Sequence, residues 1–141
     1  MENMTRISWD NLWMNMAGLV ALRSVDPKLK VGCLIVSSDN TRVLSIGYNG
    51  DHKGGLNARA SMITGESGFI HAEINALIKA DFGAHQDKKM YLTHSPCLMC
   101  SKAIINAGIK EVYYDNLYDQ DAVNFLTSFI PTLQRGVSKN E

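Results

Sequence analysis

The chain has 141 residues, enough for one hydrophobic core, so we expect a single domain over residues 1–141. Its 14 basic and 14 acidic residues cancel, which argues against a polynucleotide partner because nucleic-acid binders usually carry a basic excess. No apolar run approaches the roughly 18 residues of a membrane span. Three cysteines, an odd count, and no leader-like N-terminal segment predict a cytoplasmic protein without a disulfide framework.

The first part of the chain predicts one helix and a β-hairpin. Ser8 is a candidate N-cap for a helix that extends to about residue 24, with apolar residues at three- and four-residue spacing. Asp26-Pro27 ends this helix. Residues 31–36 and 42–48 are then predicted as two strands joined by a turn.

Residues 50–69 are polar and glycine-rich and show neither helical nor strand periodicity. A loop of this length in a compact domain is usually functional or mobile. The sequence leaves open both a disordered excursion and a substrate or effector loop. In the second case His52, Lys53 and Arg59 would be available to phosphate groups.

The second part of the chain alternates between helices and strands, which predicts an α/β domain with a mixed sheet. Ser95-Pro96 is predicted to open a helix, with Pro96 at the first helical position, and Gly108 is predicted to close it. A polar tail is expected from Thr132. The other predicted elements are helices over 70–80 and 119–130 and strands over 89–93 and 111–114.

Two short motifs carry the chemistry: His71-Ala72-Glu73, and Cys97 and Cys100 preceded by Pro96. One imidazole and two thiolates match the ligand count of a catalytic zinc site that keeps a fourth position for water. Glu73 is two residues from the histidine and can move protons without binding the metal. This H-x-E and P-C-x-x-C pattern is the signature of the zinc nucleobase deaminases.

A closed structural zinc site is the alternative interpretation of the same ligands. Such a site needs a fourth protein ligand. The candidates are His52, His85, His94 and Cys33. His94 is the strongest of them because it lies three residues before Cys97, whereas Cys33 is predicted to be a buried core residue.

From these motifs the sequence resembles the cytidine deaminase superfamily and, within it, the deoxycytidylate (dCMP) deaminases. The resemblance implies a three-layer α/β/α fold with a mixed, mainly five-stranded sheet and one catalytic Zn²⁺. The segment after Asp119 matches the family poorly. The similar passages outside the zinc motifs are Ser8-Trp9-Asp10, Ala21-Leu22-Arg23-Ser24, Lys30-Val31-Gly32, Gly47-Tyr48-Asn49-Gly50 and Gly108-Ile109-Lys110-Glu111-Val112.

The resemblance also implies an activity, the hydrolysis of dCMP to dUMP and ammonia, which supplies dUMP for dTMP synthesis. Glu73 would be the proton shuttle, Asn49 would contact the deoxyribose, and the Ala72 amide would bind the pyrimidine O2. The carbonyl of Ser95 or Pro96 would accept from the leaving amino group.

Further implications concern the phosphate, regulation and assembly. We expect dCTP to activate and dTTP to inhibit the enzyme, with Mg²⁺ bound to the effector nucleotide. We also expect the chain to form a homo-oligomer, namely a hexamer. The expected 5′-phosphate contacts are Arg23, Ser24 and Lys30, and the expected effector contacts are Asn49, Gly50, His52 and Lys53.

Three other functions share these motifs. A tRNA adenosine deaminase has the same core but typically a shorter connection before the histidine and a basic face for RNA. A free cytidine or deoxycytidine deaminase would not require a phosphate. A non-catalytic zinc module would bind metal without turning over any substrate.

Overall fold

The computed structural model describes residues 5–83 and 86–136 of the chain. No helix within those ranges is both long and apolar enough to cross a membrane. In chain order the elements are α1 (Trp9–Ala21), β1 (Gly32–Ser37), β2 (Val43–Tyr48), α2 (Ala72–Lys79), β3 (Lys88–His94), α3 (Leu98–Asn106), β4 (Glu111–Asn116), α4 (Gln120–Thr127) and β5 (Thr132–Gln134).

The five strands form one mixed sheet in the order β2-β1-β3-β4-β5. β1 pairs antiparallel with both β2 and β3, whereas β3, β4 and β5 are parallel. The predicted hairpin is therefore β1–β2. The parallel half is built by α3 and α4, each of which connects one strand to the next. The predicted mixed five-stranded sheet is confirmed.

Helices cover both faces of this sheet and give the three predicted layers. α1 packs on one face, where a buried cluster combines Trp13, Met14 and Ala17 with Leu34, Val36, Tyr91 and Tyr113. The opposite face packs against α2, α3 and α4. Its buried cluster includes Cys33, Ile35, Ala72, Ala76, Met90, Leu92, Ile104, Val112, Val123 and Leu126.

The start of α3 differs from the prediction. We expected Pro96 at the first helical position, but α3 begins at Leu98 and Cys97 is its N-cap in an extended conformation. Pro96 therefore precedes the cap. The reason is that the Cys97 thiol, 3.5 Å from the Cys100 backbone nitrogen, accepts the hydrogen bond that a capping side chain normally accepts. At the other end Gly108 adopts a φ of +80° after the last turn, as the C-cap prediction requires.

The C-terminal segment also differs from the residue pattern. Thr132 was expected to begin a polar tail, but residues 132–134 form β5 and pair with β4. A strand of three residues is too short to show an alternating pattern, and it exists because the edge of β4 offers backbone partners. The resemblance to the family implied a sheet of five strands, which is confirmed, but it did not locate the fifth strand.

Candidate functional site

His71, Cys97 and Cys100 meet where α2 and α3 begin. His71 is the N-cap of α2, Cys97 is the N-cap of α3, and Cys100 lies in the first turn of α3. The His71 Nδ1 atom is 3.3 Å from the Cys100 Sγ and 3.6 Å from the Cys97 Sγ. The three potential ligand atoms lie within 4.8 Å of one another.

These distances fit zinc. In a tetrahedral site with a Zn–N bond of about 2.1 Å and Zn–S bonds of about 2.3 Å, the nitrogen and sulfur lie about 3.6 Å apart. The observed separations are close to that value without any rearrangement. One imidazole nitrogen and two sulfurs are also ligands that zinc prefers.

The two thiols differ in their readiness to ionise. The hydrogen bond from Cys100 lowers the pKa of Cys97 to about 4, and the contact with His71 acts in the same direction. The same thiol pair and burial raise the pKa of Cys100. A metal that binds both sulfurs would have to displace the proton that the pair retains.

Glu73 is buried beside this group. It lies in the first turn of α2, and only 4% of its surface is exposed. Burial raises the pKa of Glu73 to about 7, because the charged form loses its hydration. A carboxyl group with a pKa near neutrality can both accept and return a proton, which is what general acid–base catalysis needs.

A pocket that is open to solvent reaches this group of residues. His71, Glu73 and Cys97 line this pocket, together with Asn49, His94 and Arg59. A pocket with a few converging polar groups and a carboxyl of shifted pKa has the character of an active site.

Comparisons with known proteins place this geometry in a family. The family model described as the cytidine and deoxycytidylate deaminase zinc-binding region matches residues 7–116. The chain belongs to the cytidine and deoxycytidylate deaminase family. This membership confirms the resemblance inferred from the two motifs.

Relatives support the same assignment. The chain is 43% identical over 121 residues to ComE operon protein 2 of Bacillus subtilis, covering 82% of this chain and 63% of that protein. It is 36% identical over 125 residues to human deoxycytidylate deaminase, covering 82% of this chain and 70% of that enzyme. The Schizosaccharomyces pombe deoxycytidylate deaminase is 38% identical, and only 41% of its length is matched. The chain thus spans between 41% and 70% of the length of these three relatives.

A solved structure has the same fold over nearly its full length. The dCMP deaminase of cyanophage S-TIM5, in complex with dCMP and dUMP, superposes with a TM-score of 0.78 and 29% identity, covering 92% of this chain and 98% of that one. The predicted three-layer fold of this family is confirmed.

Several predicted substrate contacts lie at the pocket. Asn49, Ala72 and Ser95 all line it. The Ser95 hydroxyl accepts from the backbone of Tyr118 at 2.7 Å and of Asp119 at 3.3 Å, so its side chain holds the β4–α4 connection. That leaves the predicted role to the Ser95 or Pro96 backbone. Pro96 itself is fully buried.

The residues predicted for the phosphate lie elsewhere. Arg23 and Lys30 are exposed, and neither is among the pocket-lining residues. The Arg23 guanidinium lies 6.0 Å from the centre of the Tyr48 ring. Ser24 is buried, and its hydroxyl donates to the Asn49 carbonyl at 2.9 Å. Their phosphate role stays a prediction.

The predicted effector residues differ in their exposure. Gly50 is buried and pairs with Ile70, whose backbone amide donates to the Gly50 carbonyl at 2.8 Å. His52 and Lys53 are exposed and lie outside the pocket lining. The bridge matters for the site, because it brings the residue before His71 to the end of β2.

The candidates for a fourth metal ligand that the structure describes, His52, His94 and Cys33, do not join the group. Among the described residues the cluster consists of His71, Cys97 and Cys100. The His94 Nδ1 is 2.9 Å from the Thr93 hydroxyl, and Cys33 is buried in the core as predicted. His85 lies outside the described residues.

Two charged residues of the pocket were not predicted as functional: Asp26 and Lys28. Asp26 appeared in the sequence as part of a helix-ending Asp-Pro pair. Its burial depends on contacts with residues more than 20 positions away, which no local pattern could indicate.

Proposed function

We propose that the chain hydrolyses dCMP to dUMP and ammonia, with one zinc ion held by His71, Cys97 and Cys100. The observation that carries this proposal is Glu73, a buried carboxyl group that lines an open pocket beside a group of three potential metal ligands. Family membership and the likeness to a dCMP deaminase in complex with dCMP and dUMP support the choice of substrate.

When bound, zinc would supply a water molecule whose pKa is lowered towards about 7. Glu73 would accept the proton of that water and pass it to the ring nitrogen N3 as oxygen adds to C4. The proton of the new C4 hydroxyl would then pass, again by way of Glu73, to the exocyclic amine. The C4–N bond would then break, releasing ammonia and leaving the C4 carbonyl of dUMP.

The side chain of Asn49 suits a contact to a sugar hydroxyl. Its Nδ2 donates to the Leu29 carbonyl at 2.8 Å and to Asp26 at 3.2 Å, so both N–H bonds are used. Its Oδ1 accepts from the Val31 amide at 2.9 Å and has a second lone pair. Asn49 would therefore accept a hydrogen bond from the deoxyribose.

The test is ammonia release from equal concentrations of dCMP, deoxycytidine, dCTP and an adenosine-containing tRNA stem-loop. Turnover of dCMP above the other three supports the proposal. Equal turnover of deoxycytidine would indicate a nucleoside deaminase, and turnover of the stem-loop an RNA-editing enzyme. Bound zinc without turnover of any substrate would favour the structural site.

Regulation and assembly are further proposals that rest on the family. We expect dCTP with Mg²⁺ to activate and dTTP to inhibit a homohexamer. The exposed His52 and Lys53, next to Gly50, are available to an effector nucleotide. Steady-state rates with each nucleotide, and the mass of the particle by light scattering, test these proposals. The cytoplasmic location also stays a prediction.

A further inference from the structure

Asp26 lies where three segments meet beside the pocket: the α1–β1 connection, the end of β2 and the 51–69 loop. Its Oδ1 accepts from the Lys28 amide at 2.8 Å and from Arg59 Nη1 at 3.0 Å. Its Oδ2 accepts from Arg59 Nη1 at 2.9 Å and Asn49 Nδ2 at 3.2 Å. One carboxylate therefore contacts all three segments.

Arg59 attaches the loop to this carboxylate. The side chains of Arg59 and Asp26 are only 7% and 3% exposed. The Arg59 Nε also donates to the Ser61 carbonyl at 2.9 Å, which shapes the chain just after it. The Ala60 amide donates to the Ser67 carbonyl at 2.7 Å, so residues 59–67 form a closed loop.

A second set of hydrogen bonds joins the α1–β1 connection to the loop at the surface. The Lys28 Nζ donates to the Met62 carbonyl at 2.7 Å and to the Thr64 hydroxyl at 2.8 Å. Thr64, Gly65 and Ser67 line the pocket together with Arg59. Residues 59–67 are thus a pocket wall that is held at two points.

A buried ion pair is weak evidence for stability in itself, because desolvation offsets the attraction between the charges. This pair, however, holds a pocket wall, and its Asp26 also accepts a hydrogen bond from the side-chain amide of Asn49. Asp26, Arg59 and Asn49 line the same pocket as Glu73, and none of the three belongs to the group of potential metal ligands.

We propose that Asp26 and Arg59 are positioning residues for nucleotide binding: their ion pair holds the 59–67 wall in place, and Asp26 orients Asn49. This inference rests on the proposed function, since the nucleotide is the ligand that the wall and Asn49 would contact. The pair acts on binding and leaves the proton transfers of Glu73 unchanged.

The experiment compares Asp26→Asn, Arg59→Gln and the double variant. The readouts are kcat and KM for dCMP, Tm, zinc content and backbone hydrogen exchange of residues 59–67. Arg135→Gln is the matched control, because it breaks the Arg135–Asp115 ion pair outside this pocket.

We expect KM to rise about tenfold in each single variant while kcat stays within about twofold, the pattern of lost ground-state binding. Each single variant leaves a buried charge uncompensated, so Tm should fall by about 10 °C. Exchange should accelerate over 59–67. In the double variant Tm should recover, because both charges are gone, but KM should stay high. Arg135→Gln should change neither KM nor loop exchange.

Two results would overturn the proposal. One is an unchanged KM and unchanged exchange in both single variants. The other is recovery of KM together with Tm in the double variant, which would make the pair a source of stability only. Failure of the proposed function looks different: the unmodified chain would not turn over dCMP, while the exchange of 59–67 would still report whether the pair holds the wall.

Discussion

The residue that opens α2 serves the site at the expense of the helix. Ser8 and Asp119 cap α1 and α4 with side-chain oxygens that accept backbone hydrogen bonds. His71, in contrast, makes no capping bond with its side chain. Replacing a good N-cap by a poor one costs about 1 kcal/mol. The presence of His71 at this cap therefore indicates a functional demand.

Glu73→Gln tests the proton shuttle. The amide keeps the size of the side chain but cannot accept a proton, so kcat for dCMP should fall by about 10² to 10⁴. Zinc content should stay at one per chain. Tm should stay the same or rise, because burial penalises the charged carboxylate that the variant removes.

The control for this variant is Asp121→Asn, a carboxyl-to-amide change at an exposed position of α4. It should leave kcat unchanged. Substantial turnover by Glu73→Gln, with kcat within about threefold of the unmodified chain, would remove Glu73 from the mechanism, since general acid–base catalysis contributes far more than that.

Cys97→Ala and Cys33→Ala separate metal binding from core packing. Cys97→Ala should lose the zinc, because two protein ligands are too few to hold it tightly, and should lose stability with it. Cys33 is fully buried but lies outside the ligand group. Its replacement should lower stability by about 1 kcal/mol through a small cavity and leave zinc content unchanged. A metal-replete Cys97→Ala protein would refute the ligand assignment.

At the scale of elements, the position of α2 depends on Gly47 in β2. A Cβ atom at Gly47 would lie 2.4 Å from the Ala72 carbonyl oxygen and 2.6 Å from the Ala76 backbone nitrogen. Only glycine allows the strand and the helix to approach this closely. Since His71 and Glu73 lie at the start of α2, this close contact fixes how far both residues lie from the sheet.

Gly47→Ala should therefore push α2 away from the sheet. We expect a loss of about 1–3 kcal/mol of stability from overpacking and weaker zinc binding, measured by chemical denaturation and by competition with a chromogenic chelator. Gly18→Ala is the control: a Cβ there meets nothing within 4 Å, so this helical substitution should stabilise by about 0.5–1 kcal/mol. Zinc affinity unchanged in Gly47→Ala would contradict the link.

The element boundaries show what local sequence can and cannot predict. The N-cap at Ser8 and the positive φ at Gly108 followed from side-chain chemistry that acts within a few residues. The start of α3 did not follow in this way. Pro96 was expected at the first helical position, but the helix begins after Cys97, whose thiol acts as the cap. The position of β5 could not be predicted from local sequence either, since the strand forms by pairing with the edge of β4.

At the scale of the whole molecule, contacts between residues far apart in the sequence are the hardest to predict. The grouping of His71 with Cys97 and Cys100, which lie 26 and 29 residues further along the chain, was predictable because the motif spacing is a chemical signature. The Asp26–Arg59 pair, 33 residues apart, carries no such signature, and only the folded chain reveals it. The phosphate contacts proposed from resemblance face the same difficulty, since Arg23 and Lys30 are outside the pocket lining.

Removing the metal tests how far the site supports the fold. Three ligands from the starts of α2 and α3 would cross-link two helices packed on the same face of the sheet. A ligand that binds only the folded state stabilises it by about 4 kcal/mol at a free concentration of 1,000 times Kd. Dialysis against a chelator should therefore lower Tm, and added zinc should restore it. Glu73→Gln should respond like the unmodified chain, whereas Cys97→Ala should not respond to the chelator. A Tm of the unmodified chain that the chelator leaves unchanged, with zinc shown to be gone, would mean that the fold does not depend on this site.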